Sequence, residues 1–281
     1  MSTTDASAPD PILELFLDDP LCGPRATAPT RFWGAEPFDS TVWQEFAARL
    51  RPERELASLL SALRGATKIL DAGGGNGLLS RAIAERFGGC TVVEPAALNL
   101  ERLQASPGTL QIVSGTAEAL PFPDQSFDAA LATWVLQYTA SPERAVAELA
   151  RVCQRVPGAR VLLVQAAPWN QLVTLYNVCA KGLGLLPAHH GFLLASAASV
   201  LSRVGFSDIS LSVVPVALAF ADATPEEKVD AAVRMSFDVH FGQAPRSPAL
   251  EAELRATARA MFEASPQCLN DDGVLLTAKL A

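Results

Sequence analysis

The fold is decided by the stretch Ile69-Leu70-Asp71-Ala72-Gly73-Gly74-Gly75-Asn76-Gly77, in which a short apolar run passes directly into a glycine-rich loop. The apolar run predicts a buried strand, and the apolar spacing over residues 78–87 predicts a helix behind the loop. Glycines are needed where the backbone approaches a ligand closely or adopts a positive φ. A helix N-terminus behind such a loop offers free N–H groups and a favourable dipole to an anionic group. The junction therefore predicts a ligand-binding turn.

The spacing of the glycines distinguishes between kinds of ligand. Gly73, Gly75 and Gly77 follow the pattern GxGxG. The dinucleotide fingerprint GxGxxG/A would require Gly or Ala where this chain has Leu78. This difference argues against a nicotinamide or flavin oxidoreductase.

Two further elements follow the loop. Glu94 lies 23 residues after Asp71 and ends the second apolar run, Val92-Val93-Glu94-Pro95. A carboxylate at the carboxyl end of that strand can accept hydrogen bonds from both hydroxyls of an adenosine ribose. The third element is a turn and a Pro-Phe-Pro loop over residues 115–128, between the third and fourth predicted strands.

Outward from these motifs, short apolar runs alternate with amphipathic segments. Strands are predicted at 67–72, 90–94, 110–113, 127–133 and 159–165, and helices at 78–87, 97–105 and 142–155. This alternation predicts a parallel sheet covered on both faces. Helices are also predicted before it, from residue 42 and from Pro52, and after it at 169–184, 196–204 and within 225–264. Two further strands are predicted at 206–214 and 273–280.

Composition sets the limits on function. The chain has 281 residues, of which 49% are hydrophobic and 19% charged, so the chain as a whole is not disordered. The net charge of -8 argues against nucleic acid or an anionic membrane surface as the main partner. Five scattered cysteines, with no CxxC pair, and three histidines argue against a zinc site. No apolar run is long enough to span a bilayer, so we expect no membrane insertion and a cytoplasmic location.

Taken in order and at these distances, the three motifs resemble class I S-adenosylmethionine-dependent methyltransferases, specifically the type 11 small-molecule group. The matching residues run from about Thr67 to Val164. The resemblance implies an α/β, Rossmann-like fold: a seven-stranded, mostly parallel sheet in the order 3-2-1-4-5-7-6, with the last strand antiparallel. It also implies S-adenosyl-L-methionine as the cofactor.

The resemblance assigns roles to individual residues. The backbone around Gly73, Gly75 and Gly77 would bracket the methionine part of the cofactor, and Asp71 would support that loop. Glu94 would hold the ribose. The remaining implied cofactor contacts are Leu98 over the adenine face, Thr116 and Ala117 beside the adenine, and Thr133 at the end of the fourth strand.

The sequence departs from the family pattern at two places. Many relatives have Asp where Thr116 stands, so the hydroxyl here would accept from the adenine amino group without a charge. A stretch that is rich in histidine in the family is replaced by Thr133-Trp134-Val135-Leu136-Gln137-Tyr138. Acid–base help from a histidine at that stretch is therefore excluded.

Candidates for acid–base catalysis are few. His189 and His190 lie in the predicted loop 187–191, on the side where the family builds its substrate pocket, and they are the predicted catalytic pair. His240 lies near the end of a predicted helix. For any one of these histidines, a packed or surface position is the simpler interpretation.

The predicted domain organisation is an irregular, partly disordered arm over 1–40 and one methyltransferase domain over 41–281. Within that domain, we predict a core at 65–167, a closing strand at 273–280, and helical lid segments at 168–205 and 215–270. The lid segments are rich in apolar residues, which suggests a hydrophobic pocket under a mobile lid. This pattern favours an apolar small molecule, such as a natural product or an isoprenoid-like compound, as the substrate.

Three hypotheses follow. In the first, the enzyme transfers a methyl group from S-adenosylmethionine to O, N or C of an apolar metabolite, in secondary metabolism or another biosynthesis. In the second, the same fold and cofactor serve a non-methylating cyclisation or rearrangement of a secondary metabolite. The third is a nucleotide-binding or regulatory module without catalysis, which the intact glycine loop and Glu94 make less attractive. The oligomeric state is left open.

Overall fold

Strands and helices alternate through the computed structural model, which describes residues 12, 15–16, 19–22, 40–185, 191–221, 223–242 and 244–281. The strands are β1 (Leu50–Arg51), β2 (Ile69–Ala72), β3 (Cys90–Glu94), β4 (Leu110–Ser114), β5 (Ala129–Thr133), β6 (Arg160–Ala166), β7 (Asp208–Val214), β8 (Ala217–Ala219), β9 (Cys268–Asn270) and β10 (Gly273–Lys279). The helices are α1 (Ser40–Arg49), α2 (Glu53–Ala62), α3 (Leu78–Phe87), α4 (Ala97–Ala105), α5 (Pro142–Val152), α6 (Gln171–Gly182), α7 (Gly191–Arg203), α8 (Pro225–Phe241) and α9 (Pro248–Ala264).

The central sheet has seven strands in the order β4-β3-β2-β5-β6-β10-β7. Numbered by their sequence within this sheet, the strands follow the order 3-2-1-4-5-7-6, so the predicted Rossmann-like topology is confirmed. The pairs from β4 to β6 are all parallel. Strand β10 is antiparallel to both of its neighbours.

The reversed strand β10 brings a distant part of the chain to the functional edge of the sheet. Gly273, its first residue, pairs with Ala166, the last residue of β6. The residues just before β10 therefore lie beside the carboxyl ends of the parallel strands. In open α/β sheets, ligands bind at that edge.

The predicted element boundaries are most accurate around the glycine loop. α3, β3 and α4 have the predicted bounds, because Gly77, Gly88 and Pro95 interrupt the chain at their ends. β5 begins two residues later than predicted, at Ala129, and α5 ends three residues earlier, at Val152. Cys153 has an extended backbone, which ends α5, and Phe127 forms only an isolated bridge with Cys153 ahead of the regular strand.

A second, three-stranded sheet was not predicted. It has the order β1-β8-β9 and is antiparallel throughout. Strands β8 and β9 lie inside the segment 215–270, which the sequence predicted as a helical lid with its helices within 225–264. Strands of two or three residues are too short to show a period of two, so the pattern gave no signal.

The apolar side chains of α8 form a core and do not line a pocket. The predicted lid segment 215–270 was expected to help form the substrate pocket. Five of its apolar residues are instead buried in a cluster with residues of α6 and α9: Val233, Met235, Phe237, Val239 and Phe241. None of the five lines the large cavity described below. The expectation for these residues was wrong, because apolar composition alone does not distinguish a lid from a second hydrophobic core.

Several expectations fall outside the described residues. These are the predicted arm, apart from a few positions, and the loop that carries His189 and His190. His240 lies within α8, and its side chain is also outside the described part of the chain. Among the helices that are described, none is both long and apolar enough to cross a membrane.

Candidate active site

A cavity of about 670 Å³ opens at the carboxyl edge of the central sheet. Its floor consists of the ends of β2, β3 and β5 and the loops that follow them. Side chains from the α1–β1 segment and from α6 also line it: Phe46, Leu50, Leu172, Val173 and Tyr176. The cavity is therefore continuous between the glycine-rich loop and a largely apolar wall.

The glycine loop has the backbone conformation that its sequence predicts. Gly73, Gly75 and Gly77 have φ values of 82°, 56° and 82°, all in the left-handed region. A Cβ on Gly73 would lie 2.5 Å from Val135 Cγ2, whereas a Cβ on Gly75 would meet no protein atom within 4 Å. Gly73 and Gly75 line the cavity, but Gly77 does not, and it forms the N-cap of α3. The absence of a side chain at Gly75 thus leaves open space beside the loop.

Asp71 lies at the end of β2 beneath this loop and is 1% exposed. Its Oδ2 accepts a hydrogen bond of 2.5 Å from Ser80 Oγ. Burial, opposed by the Ser80 hydrogen bond and reinforced by Glu94, raises the pKa of Asp71 to about 6. Its Oδ1 is buried and has no partner among the described residues. An orphaned buried oxygen carries a desolvation cost that a ligand donor would relieve.

Glu94 ends β3 and is held by three hydrogen-bond donors. Gly75 N donates to its Oε2 at 2.9 Å, and Ala96 N and Asn99 Nδ2 donate to its Oε1 at 3.0 and 3.2 Å. A carboxylate offers about four lone-pair directions, so one direction on Oε2 remains for a ligand hydroxyl. The chain itself therefore fixes the position of this carboxylate.

The other predicted cofactor residues also border the cavity. Leu98 on α4 is 45% exposed, and Thr116 is exposed in the loop after β4. Ala117 and Thr133 are buried. Of the nine residues that the sequence singled out for the cofactor, all except Gly77 line this one cavity.

Comparison with known proteins identifies this arrangement. Residues 70–161, which contain the glycine loop and strands β3 to β5, match the family model described as a methyltransferase domain. The chain carries a class I S-adenosylmethionine-dependent methyltransferase domain. S-adenosylmethionine is the cofactor of this class of domain.

Curated relatives match less than half of the chain. The chain is 32% identical over 124 residues to the ubiquinone/menaquinone biosynthesis C-methyltransferase UbiE of Hahella chejuensis, covering 41% of this chain and 49% of the relative. It is 38% identical over 106 residues to an uncharacterized methyltransferase of Mycobacterium bovis, covering 37% of this chain and 40% of the relative. The chain thus spans about half the length of the curated relatives it matches, or less.

Solved structures share the fold. The YcgJ protein from Bacillus subtilis superposes with a TM-score of 0.57 at 18% identity, covering 81% of this chain and 98% of that protein. A phosphoethanolamine N-methyltransferase of Haemonchus contortus, solved with phosphomonomethylethanolamine and S-adenosylhomocysteine, gives a TM-score of 0.50 at 18% identity, covering 81% of this chain and 52% of that one. At these identities the likeness shows the fold alone.

The residues of the methyltransferase domain fit the cofactor. Asp71 Oδ1 offers an unpartnered acceptor beside the loop, Gly75 leaves open space, and Glu94 keeps one free lone pair toward the same cavity. An amino acid moiety carries an ammonium donor and a ribose carries hydroxyl donors, which match these oxygens. Among the described residues, no group of three or more His, Cys, Asp or Glu residues could hold a metal ion.

Sequence analysis missed two buried acids of this cavity. Glu55, in the first turn of α2, is 1% exposed and accepts a hydrogen bond of 2.7 Å from Trp134 Nε1. Asp271, between β9 and β10, is 7% exposed and accepts a hydrogen bond of 2.8 Å from Asn170 Nδ2. Both acids line the cavity. Neither belongs to a recognisable motif, and only the fold brings together residues so far apart in the chain.

The structure brings no histidine to the described part of this site. The predicted catalytic pair, His189 and His190, lies outside the described residues, so its role stays a prediction. Trp134 and Tyr138, from the stretch that stands in place of the family's histidine-rich segment, both line the cavity. Trp134 thus has two roles: it lines the cavity, and its indole N–H fixes the carboxylate of Glu55.

Proposed function

We propose that this protein transfers a methyl group from S-adenosylmethionine to an apolar small molecule held in the same cavity. The observation that carries the proposal is the continuity of that cavity, which joins the glycine loop and Glu94 to an apolar wall. Methyl transfer from a sulfonium is an in-line displacement whose rate depends strongly on the placement of the two reactants. One enclosed space with two chemically different ends suits that requirement.

The chain's own residues would divide the work of holding the cofactor. The loop around Gly73 and Gly75 would bracket the methionine part, with Asp71 Oδ1 accepting from the ammonium group. Glu94 Oε2 would accept from one ribose hydroxyl. Leu98, Thr116 and Ala117 would enclose the adenine, and Thr133 would lie near the reacting end. These roles are supported by the common cavity and by the match to the methyltransferase domain.

The substrate end favours a mainly apolar molecule. Phe46, Leu50, Leu172 and Val173 supply apolar surface there, and Tyr176 supplies an aromatic face. Relatives such as the UbiE protein of Hahella chejuensis are C-methyltransferases of ubiquinone/menaquinone biosynthesis, so methylation at carbon is the first reaction to test. Transfer to oxygen or nitrogen uses the same geometry and remains within the proposal.

Binding of the cofactor is tested by calorimetry with three ligands: S-adenosylmethionine, S-adenosylhomocysteine and NAD. We expect saturable 1:1 binding of the first two and no heat with NAD. Glu101→Gln, on the exposed face of α4, serves as the control variant, because its charge is lost without any change at the cavity. Binding of NAD alone would show that the cofactor assignment is wrong.

The reaction is tested with cofactor that is radiolabelled at the methyl group, incubated with a panel of apolar quinols, phenols and amines. We expect label in an extractable product and equimolar S-adenosylhomocysteine. A protein that binds the cofactor and converts a compound of the panel without moving the label would instead support the cyclisation or rearrangement hypothesis.

A further inference from the structure

The substrate end of the cavity contains three hydrogen-bond acceptors that the proposed cofactor site does not use. They are the carboxylates of Glu55 and Asp271 and the side-chain oxygen of Gln137, and all three residues line the cavity. They come from α2, from the segment before β10 and from the short 3-10 helix Leu136–Tyr138. A site built from acceptors selects a ligand that brings donors.

Gln137 carries a buried acceptor that the described residues leave unpartnered. The residue is 3% exposed, and its Oε1 is buried without a hydrogen-bond partner among the described residues. The amide cannot simply be turned over, because its Nε2 donates to the main-chain oxygen of Trp134 at 2.8 Å, and a carbonyl only accepts. The unpartnered oxygen is therefore fixed in a buried position where only a donor satisfies it.

Glu55 is held by an unusual residue. Trp134 has a φ of 59°, in the left-handed region that a bulky side chain rarely adopts. Its main-chain N–H donates to Val164 O at 2.8 Å, and a Cβ on Gly273 would lie 3.1 Å from its ring. These contacts hold the indole N–H on Glu55 Oε1. Strain of this kind is kept where the surrounding structure fixes a functional geometry.

Asp271, like Glu55, is held in place by a hydrogen bond from a neighbouring side chain. Asn170 donates from Nδ2 to Asp271 Oδ1, while its own Oδ1 accepts from Val173 N at 3.0 Å and caps α6. Asn170 also donates to the main-chain oxygen of Asp272 at 3.1 Å. Glu55 and Asp271 each use one acceptor position on these donors, and a carboxylate has about four. Both keep lone pairs for a ligand.

From this geometry we infer that Glu55 and Asp271 are the proton-accepting pair of the substrate site, and that with Gln137 they select an apolar substrate carrying an O–H or N–H group. The inference rests on the proposed function and names the substrate class of that same site. Trp134 and Asn170 are positioning residues, because they act through the carboxylates that they hold.

The electrostatic setting suits exchange of a proton near neutral pH. Burial, only partly offset by the Trp134 hydrogen bond and reinforced by Asp271 and Asp71, raises the pKa of Glu55 to about 7. Burial likewise raises the pKa of Asp271 to about 7 against the effect of Asn170. The other charged or titratable groups that line the cavity are Asp71, Glu94, Arg102, Glu118, Tyr138 and Tyr176. A base with a pKa close to the working pH is the most effective.

In the reaction, the O–H or N–H bond of the substrate breaks and its proton passes to a carboxylate oxygen of Glu55 or Asp271. The electron pair left on the substrate, at that atom or at a ring carbon conjugated with it, forms the new bond to the methyl carbon. The carbon–sulfur bond breaks with its electron pair remaining on sulfur, which becomes a neutral thioether. The proton later leaves the carboxyl group to solvent.

The first test asks whether the two acids can be reached from the cavity while protonated. Dicyclohexylcarbodiimide, an apolar reagent that reacts with protonated carboxyl groups, is added to the full chain loaded with S-adenosylhomocysteine, and modified peptides are mapped by mass spectrometry. We expect modification of Glu55 or Asp271 at pH 6 that falls above about pH 7. Labelling of neither acid in the folded protein contradicts the inference.

The second test asks whether the pair recognises a donor. The probes are 1-naphthol and 1-methoxynaphthalene, which share one apolar body and differ in the O–H group, titrated by calorimetry into the same loaded protein. We expect naphthol to bind at least about tenfold more tightly, and its advantage to grow from pH 6 to pH 8 as the carboxyl groups ionise. Equal affinities, or no binding of either probe, contradict the inference.

Two isosteric variants and one control separate the outcomes. Glu55→Gln and Asp271→Asn keep oxygens for Trp134 and Asn170 but cannot take a proton, so we expect both the preference for naphthol and its pH dependence to be lost. Glu53→Gln, exposed on the same helix, should keep both. If the variants bind S-adenosylhomocysteine as tightly as the wild type, their loss of the naphthol preference is due to the substrate pair alone. If the wild-type chain binds no S-adenosylhomocysteine, the proposed function itself is wrong.

Discussion

The cofactor end and the substrate end of the cavity each contain a buried glutamate, and the two carboxylates differ in how many hydrogen bonds the protein donates to them. At the cofactor end, Glu94 receives three hydrogen bonds, two of them from the main chain of Gly75 and Ala96. At the substrate end, Glu55 receives its hydrogen bond from the side chain of Trp134. Both residues are buried, at 4% and 1% exposed. The difference lies in how far the protein itself satisfies each carboxylate.

This difference separates two kinds of binding site. A carboxylate fixed by backbone N–H groups is set by the fold and offers the same remaining lone pair to every ligand. A carboxylate held by one side chain keeps several acceptor positions open and pays a desolvation cost until a ligand fills them. The cofactor end is therefore built for one constant molecule, and the substrate end for donors that arrive with the substrate.

The largest expected effect is the loss of stability caused by a substitution in the core of α6, α8 and α9. It tests whether cofactor binding is independent of the packing of that core. Leu254 on α9 is 0% exposed in the core shared with α6 and α8. Leu254→Ala should lower the free energy of unfolding by about 2–5 kcal/mol, measured with urea, because it leaves a cavity in that core. The affinity for S-adenosylhomocysteine of the folded protein should not change. If the affinity for S-adenosylhomocysteine also fell in the folded variant, cofactor binding would depend on this core.

The next effect concerns Glu94. Glu94→Ala should weaken the binding of S-adenosylhomocysteine by about 1.5–3 kcal/mol, the contribution of a charged hydrogen-bonding group, measured by calorimetry. Glu101→Ala, exposed on α4, is the matched control and should bind like the wild type. An unchanged affinity in Glu94→Ala would mean that the ribose is held elsewhere.

The third effect is the pH dependence of stability. Burial raises the pKa of Glu55 from 4.5 to about 7, so its stabilising contribution is full below about pH 4.5 and is lost as the pH rises through 7. Without ligands, Glu55→Gln should match the wild type near pH 4.5 and exceed its free energy of unfolding by about 1–3 kcal/mol at pH 8. A variant that is less stable than the wild type at pH 8 would show that the carboxylate is stabilised in the fold.

The smallest effect separates binding from stability within the glycine loop. Gly75→Ala and Gly88→Ala both place a side chain at a positive φ with no atom within 4 Å, so each should cost about 1–2 kcal/mol of stability. The new methyl group at residue 75 faces the cavity, and only that variant should lose affinity for S-adenosylhomocysteine. Equal affinities in both variants would place the cofactor away from the loop.

Sequence analysis was most successful where backbone conformation dictates residue type. A left-handed turn requires the glycines at 73, 75 and 77, and the strand–helix alternation predicted the order of the central sheet. The bounds of α3, β3 and α4 were predicted for the same reason. The residues predicted to bind the cofactor lie within about sixty positions of one another, so local motifs could identify them.

The substrate end could not be predicted in this way. Glu55 and Asp271 are more than two hundred positions apart and meet because β10 runs against its neighbours and starts at the functional edge. The three-residue strands β8 and β9 were too short to show a pattern. The apolar residues of α8 were assigned to a pocket, because burial in a second core and burial around a ligand require the same residue types.

The contact between Trp134 and Glu55 also has an optical consequence. Indole emission depends on the charge nearby, and here a carboxylate oxygen lies 2.7 Å from Nε1. The chain has four tryptophans, so the difference between the wild type and Trp134→Phe isolates this one fluorophore. That difference spectrum, followed against pH, reports proton occupancy at the substrate end without a dye. Trp134 is thus an intrinsic fluorescent probe of the ionisation of Glu55.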